Sequence, residues 1–229
     1  MLSTGTTGRV LVHCVIIGAG SIRMAIVITV AQQKGGTGKT TLAANLAAAL
    51  AAERRVALLD IDPQRSLARW AGLRPARVPA LPVSDVSGWR LSAELDRLKA
   101  AHDVVVIDSP PRIDTDARLA IRAATIVLIP VQPSPPDIWA AEGTLALVAA
   151  ERRRCAVVLN RLPAAGKLRE TVIAQLRSSG QTLLDATIGN RTGFASAFAA
   201  GLGVTEAAPR SIAANELRAL LAELLELAG

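Results

Sequence analysis

The sequence contains no tyrosine, two phenylalanines and two cysteines in 229 residues. Cys14 and Cys155 lie far apart and show no C-x-x-C spacing, which excludes a disulfide framework, a structural zinc site and a cluster-binding reductase. We therefore interpret Cys155 as a buried structural thiol. Because tyrosine is absent, the chain cannot be a kinase that phosphorylates its own tyrosine-rich tail. No apolar run reaches the roughly 18 residues that a membrane-spanning helix requires.

Lysine is also scarce, and arginine carries most of the positive charge. Only four of the 26 basic residues are lysines, and the formal net charge is +7. Such an arginine surplus favours anionic partners; contacts to DNA phosphates would bind without reading sequence and would weaken as salt rises. With 51% hydrophobic residues the chain can bury a full core in one domain, which indicates a compact cytoplasmic protein.

The glycine-rich segment 34–41 reads Lys-Gly-Gly-Thr-Gly-Lys-Thr-Thr. It follows an apolar strand candidate at 25–31 and leads into an Ala/Leu-rich helix candidate at 41–52. Its glycines let the chain curl so that backbone N–H groups point inward and form an anion nest at a helix N-terminus. Lys39 would reach the β- and γ-phosphates of a nucleotide, and the Thr40 hydroxyl would ligate Mg²⁺. The segment predicts a nucleoside triphosphate site, whose cradle we assign to Gly35, Gly36, Thr37, Gly38, Lys39, Thr40 and Thr41.

Beyond this segment the chain alternates short apolar runs with amphipathic or alanine-rich stretches. This alternation predicts the α/β class, in which a mostly parallel, twisted sheet carries helices on both faces. Ligands of such sheets bind at the carboxyl ends of the strands, which is where the polar motifs of this chain fall. The later strand candidates are residues 56–60, 104–108, 126–131, 156–160 and 183–188, and residues 74–82 are predicted to form a loop.

Two carboxylates that follow strand candidates could serve catalysis. Asp62 stands in Asp-Ile-Asp-Pro-Gln directly after the strand candidate, where it could orient an attacking water and approach Mg²⁺. For the neighbouring Asp60 a role as strand-end cap or turn former is equally well supported. Asp108 ends the run Val-Val-Val-Ile-Asp. It could hold a Mg²⁺ water near Thr40, since Mg²⁺ keeps several waters and takes one or two carboxylates.

Together these motifs resemble the ParA/MinD family of ATPases. Gln33 stands where the common phosphate loop has its first glycine, and Lys34 follows it, which matches the variant loop of this family. Similarity to the later family motifs lies in segments 60–64, 104–111, 129–137 and 157–161. The resemblance implies an ATPase that uses ATP and Mg²⁺ and forms an ATP-dependent homodimer, in which Lys34 reaches the partner's nucleotide. Its implied catalytic residues are Lys34, Lys39 and Asp62, and its implied metal ligands are Thr40, Asp62 and Asp108.

The same resemblance implies further ligands and partners. Asn160 would read the adenine, because an amide donates and accepts hydrogen bonds at once. Asp137 is interpreted as the cap of the helix that follows it. Members of this family bind double-stranded DNA nonspecifically and release it after a ParB-like adaptor stimulates hydrolysis, so we expect a protein of the cytoplasm that associates with the nucleoid. The implied DNA contacts are Lys167, Arg169, Arg177, Arg191 and Arg210.

Two alternative functions follow from related proteins. A MinD-like ATPase at the membrane surface needs a C-terminal amphipathic helix with cations beside its apolar face. Here the leucine stripe is flanked by more acidic than basic residues, namely Glu216, Glu223 and Glu226 against Arg218. Anionic lipid would be repelled, so we predict a helix that packs on the sheet and does not bind a membrane. An ATP-dependent metabolic enzyme built on the same loop would show a substrate-dependent ATPase and no DNA binding.

Residues 1–23 precede the region of family similarity. Met24 stands a few residues before the first strand candidate, where members of this family often begin. The fragment Gly-Ala-Gly-Ser-Ile-Arg at 18–23 superficially resembles a dinucleotide loop but lacks the third glycine. We expect residues 1–23 to be an N-terminal extension or a misassigned start, and residues 24–229 to form the ATPase domain.

Overall fold

The computed structural model describes residues 24–112, 114–165, 167–178 and 180–229; the extension predicted at 1–23, with Cys14, lies outside them. The strands are β1 (Ile26–Val30), β2 (Val56–Asp60), β3 (Val83–Ser84), β4 (Val104–Asp108), β5 (Ile126–Val131), β6 (Arg154–Leu162) and β7 (Leu183–Gly189). The helices are α1 (Lys39–Leu50), α2 (Ser66–Gly72), α3 (Leu91–Ala101), α4 (Thr115–Ala123), α5 (Pro135–Ala150), α6 (Lys167–Ser178), α7 (Thr192–Ala199), α8 (Val204–Ala207) and α9 (Ile212–Ala228), with a 3₁₀ helix at Gly88–Arg90.

The strands form one seven-stranded sheet in the order β3-β2-β4-β1-β5-β6-β7. Every pairing in it is parallel, so each strand is followed by a crossover, and the predicted α/β class is confirmed. The six predicted strands match observed ones to within two residues at each end. Sequence reasoning missed β3, because two residues are too few to show a periodic or apolar pattern.

Successive residues of the central strands pack on opposite faces of the sheet. Ile28 and Val30 belong to the core cluster that includes residues of α1 and α9, whereas Val27 belongs to the cluster on the α3 side. Strands covered on both faces must be apolar throughout, which is why they stand out in the sequence as continuous runs. Cys155 packs against the core but is only partly buried, so the prediction of a buried thiol was too strong.

The C-terminal helix α9 packs on the sheet, as predicted. Glu223 accepts hydrogen bonds from the backbone N–H groups of Asp185 and Ala186 in β7, at 2.9 and 2.8 Å. Glu216 accepts one from Gly189 at 3.1 Å. Because β7 is an edge strand, these carboxylates satisfy donors that would otherwise be open. The leucines buried beneath the helix are Leu217, Leu220 and Leu224. Among the helices that the structure describes, none combines the length and the apolar character of a membrane span.

Candidate nucleotide-binding site

The phosphate loop leaves β1 and becomes helix α1 at Gly38. Gly36 and Gly38 have φ angles of 78° and 94°, in the left-handed region that glycine adopts without strain. A Cβ at Gly38 would lie 2.5 Å from Nδ2 of Asn160, so glycine is required there for space as well. Among the described residues no side chain caps the start of α1. The first N–H groups of the helix are therefore available to an anion, as the sequence predicted.

Asn160 joins the end of β6 to this loop. Its Nδ2 donates to the carbonyl oxygen of Thr37 at 2.6 Å, and its Oδ1 accepts from the backbone N–H of Arg161 at 3.0 Å. A primary amide has two N–H groups and two lone pairs, so one of each stays available to a ligand. The contact of Asn160 with adenine stays a prediction, and its role in holding the loop is one that sequence reasoning missed.

A cavity of about 310 Å³ opens beside the loop, a size that suits part of a nucleotide. Gly38, Thr41, Asn160 and Arg191 are among its lining residues. The Arg191 guanidinium bonds to the carboxylate of Glu216 at 2.6 to 3.0 Å. Arg191, predicted to contact DNA, thus lies on the wall of this cavity and is already paired with an acid.

Lys39 lies inside the loop, as predicted. It is 6% exposed, and its Nζ donates to the carbonyl oxygen of Lys34 at 3.3 Å. Burial lowers the pKa of Lys39, while the nearby charges of Asp108 and Asp62 raise it. A bound phosphate would compensate the desolvated ammonium, so the role of Lys39 in phosphate binding stays a prediction.

Strand register brings two of the acids considered in the sequence analysis, Asp60 and Asp108, to one edge of the sheet. Asp108 pairs with Val30 of β1 and with Asp60 of β2, so both acids end strands beside the phosphate loop. Asp60 accepts hydrogen bonds from the backbone N–H groups of Asp62 and Ala68, at 3.1 and 2.9 Å. Burial raises the pKa of Asp60. These contacts support the turn-forming role for Asp60.

Asp62 is partly exposed and accepts a hydrogen bond from the backbone N–H of Gln64 at 2.9 Å. Its charge raises the pKa of both Lys39 and Asp108, so it lies near the predicted catalytic groups. Of the two acids in the Asp-x-Asp-Pro-Gln turn, Asp60 is buried and Asp62 is partly exposed. Asp62 is the one that the sequence analysis selected for catalysis.

Asp108 is fully buried, and no hydrogen bond of ordinary geometry reaches either carboxylate oxygen from the described residues, although the Thr40 hydroxyl is near enough to affect its pKa. Burial raises the pKa of Asp108 to about 7, against the opposing effects of the Thr40 hydroxyl and the Lys39 ammonium. Buried polar atoms are normally satisfied, so an orphaned carboxylate fits a group absent from the structure. The described residues contain no cluster of three or more His, Cys, Asp or Glu that could hold a metal alone. Thr40 and Asp108 therefore fit Mg²⁺ that binds together with nucleotide phosphates.

We expect Asp108→Asn to stabilise the protein in the absence of nucleotide and Mg²⁺ while abolishing ATP hydrolysis. A carboxyl whose pKa rises from 3.8 to about 7 on folding costs stability that grows from about pH 4 to pH 7, up to about 4 kcal/mol. The variant should melt roughly 10 °C higher at pH 8 and show little gain at pH 4. Thermal unfolding across this pH range measures the effect, and an unchanged melting temperature at pH 8 would contradict it.

The basic residues predicted to contact DNA differ in whether they already pair with an acid. Arg177 forms an exposed ion pair with Asp185 at 3.3 Å. Arg210 is exposed and forms no ion pair within the described ranges. The side chains of Lys167 and Arg169 lie outside the described part of the structure. Arg210 is therefore the strongest single candidate for a phosphate contact.

Lys34 contacts a different part of the protein from Lys39. Its Nζ lies 2.5 Å from Oδ2 of Asp137 in α5, and 103 positions separate the two residues. The interpretation of Asp137 as a helix cap was wrong, because Ser134 occupies the N-cap position and Asp137 stands three residues further on. Sequence reasoning had no local signal for this pair, which depends on β5 lying next to β1.

A family model described as the CobQ/CobB/MinD/ParA nucleotide binding domain matches residues 28–204, which is more than half of the chain. The chain belongs to this family. The recognition made from the sequence motifs is therefore confirmed. The glycine-rich loop, the buried Lys39 and Asp108 all lie within the matched residues.

Individual relatives of this chain support the same family assignment. The Maintenance of carboxysome distribution protein A of Halothiobacillus neapolitanus is 32% identical over 216 residues, covering 88% of this chain and 97% of the relative. The chromosome-partitioning ATPase Soj of Thermus thermophilus is 30% identical, covering 86% of this chain and 94% of the relative. The structure of apo McdA from Cyanothece matches with a TM-score of 0.74 at 21% identity, covering 90% of this chain and 100% of that one. The predicted fold is confirmed by this match.

Proposed function

We propose that this protein is a Mg²⁺-dependent ATPase that forms an ATP-dependent sandwich dimer, binds DNA nonspecifically as that dimer, and positions a cargo. The observation that carries the proposal is the opposite placement of the two loop lysines. The Lys39 ammonium lies within its own loop, whereas the Lys34 ammonium lies outside it against α5. Lys39 would thus serve the nucleotide of its own subunit, and Lys34 would be available to serve the nucleotide of a second copy.

Hydrolysis would depend on the two acids at the carboxyl edge of the sheet. Thr40 and Asp108 would hold Mg²⁺, with Asp62 approaching through a water. When bound with ATP, Mg²⁺ neutralises charge that develops between the β- and γ-phosphates. Asp62 would orient the attacking water, and Asn160 would contact the adenine from the cavity beside α1. Phosphoryl transfer needs such positioning and charge compensation more than covalent help from the protein.

The cargo that we propose is a plasmid, a chromosome region or a protein assembly. The relatives whose names point to carboxysome distribution and to chromosome partitioning support both a protein and a DNA cargo. Hydrolysis would be stimulated by a ParB-like or other adaptor protein, and the dimer would bind the nucleoid. The buried leucines of α9 face the core, and three glutamates outnumber Arg218 along this helix, which argues against a MinD-like contact with an anionic membrane.

We expect ATP to strengthen DNA binding, because a dimer presents two copies of each basic side chain to one duplex. Arg210→Glu should then weaken binding similarly on unrelated duplexes and lower the salt dependence of log K by about one for each phosphate contact that it removes. A mobility assay across a salt series, with and without ATP, measures both effects.

The matched control is Arg69→Glu, which makes the same charge change at an exposed position of α2. It should leave DNA binding nearly unchanged. Binding that ignores ATP and salt, or that the two variants weaken equally, would count against the proposed surface. Basal ATP hydrolysis that rises only with a small-molecule substrate would favour the metabolic-enzyme alternative.

A further inference from the structure

Helix α5 contacts both residues by which the phosphate loop departs from the common pattern. Asp137 pairs with Lys34. The Gln33 side chain packs at Gly143, where a Cβ would lie 2.4 Å from Gln33 Nε2. The backbone N–H of Gln33 also donates to Oγ1 of Thr144 at 3.3 Å. Since residues seven apart share one face of a helix, a single face of α5 lies along the start of the loop.

The Asp137 carboxylate depends on Lys34 for charge compensation. Its side chain is 2% exposed, while that of Lys34 is 39% exposed. Oδ2 accepts from Lys34 and from the Ser134 hydroxyl, and Oδ1 has no hydrogen-bond partner among the described residues. A buried carboxylate that loses its cation carries a large desolvation cost. The departure of Lys34 would therefore be unfavourable for Asp137, although Lys34 itself could reach solvent easily.

We propose that Asp137 is a positioning residue that holds Lys34 within its own subunit. Lys34 must leave Asp137 before a dimer can form, and the free-energy cost of this release raises the ATP concentration that dimerisation requires. This inference rests on the proposed crossing of Lys34 to the partner's nucleotide. A triphosphate carries more negative charge than one carboxylate, so a second subunit loaded with nucleotide would offer Lys34 a stronger site than Asp137 does. Asp137 thereby disfavours dimers that lack ATP.

The first test is the ATP dependence of dimerisation in Asp137→Asn. The amide keeps the shape of the side chain but removes the charge that retains Lys34. Half-maximal dimer formation, measured by light scattering with a slowly hydrolysed ATP analogue, should require about tenfold less analogue than in the wild type, the size expected when one charged hydrogen bond is lost. An unchanged or higher requirement in a variant with normal thermal unfolding would overturn the proposal.

Ser134→Ala supplies a matched variant with the opposite expected sign. Without the hydroxyl, Asp137 relies more on Lys34, so dimerisation should require more analogue than in the wild type. If the substitutions only disturbed the start of α5, both variants would change the required analogue concentration in the same direction. Shifts of the same sign in Ser134→Ala and Asp137→Asn would therefore also overturn the proposal.

The second test examines the monomer before any dimer forms. With an amine-acylating reagent and no nucleotide, Lys34 should be labelled several-fold faster in Asp137→Asn than in the wild type, as judged by peptide mass spectrometry. Lys99, which forms a surface pair with Asp96 on α3, is the internal control and should not change. Equal Lys34 labelling in both proteins would overturn the retention of Lys34 by Asp137. If the wild type never dimerises with ATP, the proposed function fails, yet the labelling still decides whether Asp137 holds Lys34.

Discussion

Lys39→Ala is expected to abolish ATP binding, whereas Lys34→Ala should keep most of it and lose ATP-dependent dimerisation and turnover. Lys39 is buried within its own loop, so its removal leaves the phosphates without their central cation. The Lys34 side chain pairs with Asp137 of α5, so its loss should affect chiefly a second subunit. Nucleotide titration and light scattering with a slowly hydrolysed analogue separate the two outcomes.

Two controls make this comparison sharper. Lys99→Ala removes an exposed lysine on α3 and should change neither binding nor dimerisation. Lys34→Ala also strands the buried Asp137, which could weaken folding by itself. The double variant Lys34→Ala with Asp137→Asn removes the unpaired buried charge and should still fail to dimerise. A dimer with normal turnover in the double variant would rule out the cross-subunit role of Lys34.

Asp62→Ala is expected to bind Mg·ATP and yet hydrolyse it at least about 100-fold more slowly, because the water loses its orienting carboxylate while the phosphate cradle stays intact. The ATP-bound dimer should accumulate on DNA and remain there. Steady-state phosphate release and the rate of dissociation from DNA after ATP dilution measure the two effects. Asp62 is suited to this test because it is partly exposed and its side chain accepts a hydrogen bond from Gln64 within an exposed turn.

Asp96→Ala is the control for this variant, since it removes a surface carboxylate on α3 that pairs with Lys99. Its turnover should equal that of the wild type. Asp60→Ala is unsuitable as a control, because Asp60 holds the backbone of Asp62 and of Ala68. Undiminished hydrolysis in Asp62→Ala would move the catalytic role to another residue.

The sequence by itself determined those features that depend on local pattern. A phosphate site is predicted directly by the glycines of the loop, by Lys39 and by the apolar runs on either side. Local pattern suffices here because anion binding at a helix N-terminus needs only contiguous residues. Alternation of buried strands and helices likewise predicted the parallel sheet. Asp108 could be found from sequence because a carboxylate directly follows four apolar residues of one such strand.

Only the tertiary structure decided which distant side chains meet at the site. Asp137 reaches Lys34 because β5 pairs with β1, and Asn160 reaches Thr37 from the end of β6, 123 positions away. The same holds for Arg191, which the sequence offered as a DNA contact and which the packing of α9 places beside Glu216. Strand order fixes the first two pairs, and the position of α9 beside β7 fixes the third. Periodicity reports whether a strand is buried but not which strands are its neighbours, so no local pattern could have identified these partners.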